Sequence, residues 1–242
     1  VKAEAAVSVV ADGGRSRCAV LRSDPPFTFR QTGDVLSWVG TAAGPVGGDE
    51  LSLAVDVAAG ASLTVSSVAA SLVHPGPTGQ PSRMALRARV AGALRWQPRP
   101  AVLVRGCDHH ADTSVDLAAD AVLLWREEVV LGRHGEAPGS VRQRLTVDRG
   151  GRPLLRTELA VGSRWPASLG PAGTAGARAV ATVVAVGVPL APVAVDGVRM
   201  TVQPLADGTL LLTALADRAG DLTLAVDLAL STRTRDGSST DL

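Results

Sequence analysis

The run Arg105-Gly106-Cys107-Asp108-His109-His110-Ala111-Asp112 concentrates a thiol, two imidazoles and two carboxylates between Cys107 and Asp112. Donors of these kinds suit a divalent first-row ion such as nickel, zinc or copper. Successive residues of a strand face opposite ways, so one ion meets Cys107 with His109, or Asp108 with His110, and not the whole set. No second ligand pair stands at a structural-zinc spacing. The competing reading is a polar loop around a buried cysteine.

A second acidic region, Glu127-Glu128, is followed by Gly132-Arg133-His134-Gly135-Glu136. Paired carboxylates can exchange protons with a substrate or hold a hard cation. Beside arginines they are as readily a solvated ion pair of little energetic worth. A third acid, Asp49, closes Gly44-Pro45-Val46-Gly47-Gly48-Asp49-Glu50-Leu51. Pro45 presets φ, and Gly47 and Gly48 supply the tight turn. The carboxylate of Asp49 is then free to face the interior. Ser71 and His74 follow a strand, but no Gly-x-Ser-x-Gly elbow surrounds Ser71, and no Walker-type phosphate loop is present. Nucleotide chemistry would have to belong to a partner.

The elements that must carry these residues repeat. Alternating strands at 51–57 and 62–67, 84–90 and 94–96, 113–117 and 122–125, and 143–147 and 153–158 each flank a turn of small residues. The turns at Gly60, Gly92, Asp120 and Gly150 fall 28 to 32 residues apart, the kind of period that marks stacked units. Alternation such as Leu86-Arg87-Ala88-Arg89-Val90 predicts strands with one buried face. Four hairpins in a sandwich or barrel and a stacked solenoid both satisfy this pattern.

After Val161 the composition changes. Residues 169–186, rich in alanine and glycine with apolar residues at helical spacing, predict a helix weakened by its glycines. Residues 217–230, with acids in the first turn, predict a second helix. Between them, 198–205 and 209–215 flank Ala206-Asp207-Gly208 and predict a hairpin. The expectation is one domain: a β-rich body over 1–165, a helix-containing part over 166–230 and a polar tail over 231–242.

Composition narrows the function. The 242 residues carry a net charge of +1, so no polyanion is matched along the chain. Tyrosine is absent, and Phe27 and Phe29 are the only phenylalanines, which removes the stacking platforms that single-stranded nucleic acids need. Cys18 and Cys107 make no disulfide framework, and reduced thiols are the default reading. Val1-Lys2-Ala3-Glu4 shows no cationic region leading into an apolar one, and the apolar run 177–192 carries Arg178 and ends in proline. A soluble cytoplasmic protein without membrane or nucleic-acid partners is expected.

Four segments in order carry a family resemblance: Gly44 to Leu51; Val68-Ala69-Ala70-Ser71; Leu94-Arg95-Trp96-Gln97-Pro98; and Leu123 to Arg133 with Gly135-Glu136. Their order and gaps resemble the urease accessory protein UreD (UreH) family, closely over 17–161 and loosely afterwards. The arginine- and alanine-rich style (Lys2 is the single lysine) is similar to actinobacterial members. The resemblance implies a mainly β, β-helix-like stack of strands with about two α-helices in the C-terminal third. It also implies a non-enzymatic chaperone of metallocentre assembly. Such proteins join UreF and the GTPase UreG on apo-urease and assist nickel insertion through a water-filled internal passage. Matched position by position, Asp49, Ser71 and Glu127 fall on residues associated with that passage.

The same comparison shows departures. Leu72-Val73 replace a lysine and an aromatic after Ser71, and Pro100 and Thr157 stand where acids are usual. A conduit needs ligands strong enough to admit the ion and weak enough to release it, which suits isolated carboxylates on separate repeats. No tightly bound cofactor is expected, and nickel(II) is a transient cargo. Two alternatives are an interaction scaffold that passes no metal and a β-solenoid enzyme acting on polysaccharide. Scarce aromatics weigh against the second.

Overall fold

The computed structural model describes residues 1–33 and 35–231. The first half of the chain forms β1 (Lys2–Asp12), β2 (Arg15–Arg22), β3 (Phe27–Thr32), β4 (Val35–Gly40), β5 (Glu50–Val57), β6 (Ser62–Ser67), β7 (Ser71–Val73), β8 (Ser82–Val90) and β9 (Ala93–Gln97). The second half adds β10 (Ala101–Leu103), β11 (Asp108–Leu117), β12 (Val122–Leu131), β13 (Ser140–Arg149), β14 (Arg152–Gly162), β15 (Ala179–Val186), β16 (Val198–Pro204), β17 (Leu210–Ala216) and α1 (Ala219–Ser231). A seven-stranded sheet runs β14-β13-β11-β8-β5-β1-β2, and a ten-stranded sheet holds the rest, with β7 and β10 branching from β12.

The repeat is a solenoid. β5, β8, β11 and β13 are parallel neighbours in one sheet, while β4, β6, β9 and β12 are parallel neighbours in the other. The chain crosses between sheets at each small-residue turn, so three of the four strand pairs in the sequence repeat are corners of a coil. Both architectures need the same inward–outward alternation, and only the identity of the hydrogen-bonded neighbour separates them. The fourth pair, β13–β14, is an antiparallel hairpin closing one end of its sheet, as β1–β2 does at the other. Corners stack through backbone bonds, Ala93 N–H to Ala61 C=O at 2.9 Å and Val122 N–H to Gly92 C=O at 2.9 Å. Gly92 has no room for a side chain, since a Cβ there would stand 2.1 Å from the Ala61 oxygen.

The C-terminal third corrects the expectation of about two helices. α1 is the single α-helix among the described residues, and 169–186 resolves into turns followed by β15, antiparallel to β12 and β17. Seven of the eight residues of β15 are buried, so no polar alternation reveals its period. Its valines, β-branched and stiff, favour the pleated surface, and burial on both faces imitates helical spacing. The 198–216 hairpin forms as β16–β17. α1 buries Leu222, Ala225, Val226 and Ala229 in a cluster that includes β15 and β17 side chains. The polar tail predicted from 231 lies, beyond Ser231, outside the described residues. Among the described residues, no helix is long and apolar enough to cross a membrane.

The main core lies between the sheets, where Leu53, Val55, Leu86, Val115 and Leu145 meet Leu63, Val65, Leu94 and Leu123. A column of rings runs through it. Trp96 and Trp125, paired on adjacent strands, stack at 5.0 Å and 8°, and Trp38 tilts against Trp96 at 6.2 Å.

Candidate functional site: a cavity between the sheets

The core opens at one end into a cavity of about 100 Å³, walled by the three tryptophans and by Ser71, His109, Thr113, Glu127 and Gln143. Strand alternation chooses these residues. On β11, His109, Ala111 and Thr113 line the cavity, while Asp108, His110 and Asp112 occupy the other phase of the strand. On β12, Trp125, Glu127 and Val129 share the inward phase.

Of the two acids at the wall, Glu127 and Glu128, strand phase turns the Glu127 carboxylate inward. Its Oε1 accepts the indole N–H of Trp125 at 2.9 Å and the hydroxyl of Thr113 at 3.4 Å. Among the described residues, Oε2 takes no hydrogen bond. Burial raises the Glu127 pKa above the ordinary carboxylate value, and the two hydrogen bonds, which favour the charged form, offset only part of that rise. A group so placed takes up a proton more readily than an exposed carboxylate does. Its neighbour Glu128 does different work: it receives Arg126 Nε at 2.8 Å and the Thr223 hydroxyl at 2.9 Å. Arg126 also reaches Asp227 at 2.5 Å, so this ion pair fastens α1 to β12. The adjacent acids of the sequence therefore part company across the sheet.

The cluster at 107–112 is likewise divided. His109 is buried, and Ser82 Oγ lies 2.8 Å from its Nδ1; burial lowers its pKa to about 4, so the imidazole is neutral at physiological pH. A neutral imidazole is the form that ligates a metal. On the outer face, His110 Nε2 lies 3.4 Å from Asp108, whose other oxygen holds Arg164 at 3.0 Å. Burial lowers the His110 pKa, with Arg142 and Arg83 acting in the same direction against Asp108. Cys107 precedes the strand, 2% exposed, and burial pushes its thiol up to about 11. Of the two pairings open in the sequence, Asp108 with His110 is the one brought together. Among the described residues, no three His, Cys, Asp or Glu side chains converge as metal ligands.

Asp49 sits elsewhere. It is 6% exposed, and its carboxylate turns onto its own loop, accepting Val46 N–H at 2.8 Å through Oδ2 and the Val1 amino nitrogen at 2.7 Å through Oδ1. The expectation of a carboxylate free to face the interior meets a turn whose backbone N–H needs an acceptor. Gly47 and Gly48 make the turn as expected. Gly48 has φ +93°, and a Cβ on Gly47 would lie 2.4 Å from the Gly76 nitrogen. Ser71 opens β7 and lines the cavity.

Thr113, Gln143 and the tryptophan column were not singled out by sequence reasoning as wall residues. A signal existed: Trp96 and Trp125 stand 29 residues apart, inside the range of the turn period.

The family described as UreD urease accessory protein matches residues 1–234. A urease accessory protein UreD of Parafrankia sp. (strain EAN1pec) is 42% identical over 250 residues, covering 90% of this chain and 84% of its own. One from Frankia casuarinae is 40% identical over 222 residues, covering 77% of this chain and 70% of its own. One from Streptomyces coelicolor is 39% identical over 246 residues, covering 96% of each. All three carry the names of accessory proteins, in keeping with a non-enzymatic role. With a match that spans nearly its whole length and relatives at these identities, the chain belongs to the UreD urease accessory protein family.

Proposed function

We propose that this chain serves urease maturation as a non-enzymatic scaffold whose interior cavity passes nickel to apo-urease, in assembly with UreF and the GTPase UreG. The single observation that carries the reading is the Glu127 carboxylate, buried between the sheets with one oxygen hydrogen-bonded and the other without a donor among the described residues. Charge placed in a core costs stability, and such a group persists where it has work to do. Neutral His109 and the oxygen donors Thr113, Ser71 and Gln143 line the same space, a dispersed set able to hand an ion on. A closed cage would retain it.

The test is co-production of urease with the accessory proteins at limiting nickel, comparing Glu127→Gln with the parent. Nickel per urease should fall while the yield of assembled complex is unchanged. Full nickel loading with the variant would overturn the passage. A scaffold that passes no metal is the second reading, favoured by one observation: Asp49 is committed to its own turn.

A further inference from the structure

The outer face of the seven-stranded sheet carries a positive cluster that the cavity does not use. Arg83 on β8, His110 on β11 and Arg142 on β13 stand side by side in one row across three parallel strands. Arg83 Nη1 lies 3.4 Å from His110 Nδ1. From the segment after β14, Arg164 reaches the same spot, its Nε 3.0 Å from Asp108 Oδ2, while Asp108 Oδ1 lies 3.4 Å from His110 Nε2. Three guanidinium charges thus gather about one ion-paired carboxylate. Glu50, opposite Arg83 on β5, and Asp112, two residues along β11, form no ion pair among the described residues. Arg142 is the informative member. Its half-buried side chain makes no hydrogen bond or ion pair among the described residues, and its Nε is enclosed without an acceptor. Its register partner on β14 is Ala160, which has no side-chain acceptor to offer. A buried donor left so is costly, and more so when it is charged.

We propose that Arg83, Arg142 and Arg164 form a binding site for a small inorganic oxyanion of the phosphate class, seated over the His110–Asp108 pair on the outer face of the sheet. Each guanidinium carries five N–H donors. The contacts within the cluster engage one nitrogen of Arg83, one of Arg164 and none of Arg142. A compact anion with several oxygens accepts charge-assisted bonds from all three at once. The floor is sunken, with side chains 11% exposed at Asp108 and 17% at His110, and Arg83 and Arg164 stand exposed beside it. Asp108 neutralises one of the three charges and holds Arg164 in place, which leaves an excess suited to a doubly charged anion. A bound anion joins β8, β13 and the segment after β14, which lie on separate turns of the coil. The site lies in the other phase of β11 from His109 and is independent of the nickel reading.

The test is calorimetric titration of the full chain with sodium phosphate near neutral pH, at constant ionic strength and without metal. The parent should bind a single phosphate, and its thermal midpoint should rise with phosphate and not with chloride. Arg142→Met should weaken binding about tenfold, the loss of one well-placed ionic donor group. Arg142→Lys, which keeps the charge and loses the Nε donor, should recover only part of that. Where the Arg142 variants fail to fold, Arg83→Gln, at an exposed position, should weaken binding several-fold. Arg87→Gln is the control: Arg87 is exposed on the same strand and face, without an ion pair among the described residues, and its loss should leave binding at the parent level. Equal weakening by Arg87→Gln and Arg142→Met would reduce the effect to diffuse screening and overturn the site. Parent affinity in both Arg142→Met and Arg83→Gln would overturn it as well, as would a parent that binds no phosphate. Binding of acetyl-tetraglutamate amide in place of phosphate would also overturn it, and would assign the cluster to the carboxylates of a protein partner.

Discussion

The indole N–H of Trp125 donates to Glu127 Oε1 at 2.9 Å, two residues along the same strand, so the tryptophan that fills the core also anchors its only inward-facing acid on β12. The anchor satisfies one carboxylate oxygen and leaves the other facing a cavity where full ionisation is penalised.

Glu127→Gln should therefore stabilise the protein at neutral pH while impairing nickel delivery. The amide keeps an acceptor for Trp125 and removes the buried charge. Because the folded-state pKa of Glu127 is raised, the penalty is absent below the ordinary carboxylate range and grows as pH rises through and above it. The stability gap between variant and parent should widen from pH about 4 toward neutrality. Urea unfolding across that range measures it, and a gap independent of pH would remove the buried-charge account.

His109 titrates with the opposite sign. Its pKa falls from 6.5 to about 4 on folding, so stability is complete above the unfolded value and declines as acid protonates the unfolded chain first. Between neutrality and pH about 4.5 this one residue should cost on the order of 2 to 3 kcal/mol. His109→Gln should flatten the acid limb of the stability curve. A parallel acid limb in parent and variant would assign the loss to other groups.

How far the sequence reveals these features depends on what each one requires. Alternation alone divides His109 from His110, but which phase faces the cavity is decided by β8 and β13 on either side, and nothing local encodes that. The strands of the coil are legible because each has one wet face. β15 is not, because neighbours bury both of its faces. Glu127 is found by resemblance, while its hydrogen bond to Trp125 follows from a two-residue spacing that any strand places on one face. Asp49 misleads because its glycines announce the turn without disclosing that the turn needs a carboxylate acceptor.

Asp49→Ala should accordingly be a stability variant. It leaves the half-buried Val46 N–H without its acceptor, a loss on the order of 1 kcal/mol. Soluble yield and thermal midpoint should drop, and nickel delivered per assembled complex should hold steady. Unchanged stability with reduced nickel transfer would instead return Asp49 to the passage.

Cys107 should be chemically silent. With its thiol pushed up to about 11 and 2% exposed, it carries little thiolate at neutral pH. Alkylation followed by mass spectrometry should label the half-buried Cys18 first and Cys107 only on unfolding. Nickel affinity, on the order of micromolar or weaker for scattered donors, should be the same in Cys107→Ser. A tight site lost in that variant would shift metal binding from the cavity to the 107–112 segment.

Two glycines test the coil against the helix with the same added methyl group. Gly92 lies where one corner stacks on the next, and a Cβ there would meet the Ala61 oxygen at 2.1 Å and the Ala58 oxygen at 2.5 Å. Both contacts are backbone, so relief requires the corners to separate and break the Ala93-to-Ala61 and Val122-to-Gly92 bonds. Gly92→Ala should destabilise by roughly 2 kcal/mol or more, in the range of overpacked cores. Gly220, in the first turn of α1, has nothing within 4 Å of an added Cβ. There alanine restricts the unfolded chain and suits the helix, so Gly220→Ala should stabilise by about 0.5 to 1 kcal/mol. Chemical denaturation of the two variants beside the parent decides the matter. A neutral Gly92→Ala would mean that the corners are not stacked as the parallel pairing of β6, β9 and β12 requires.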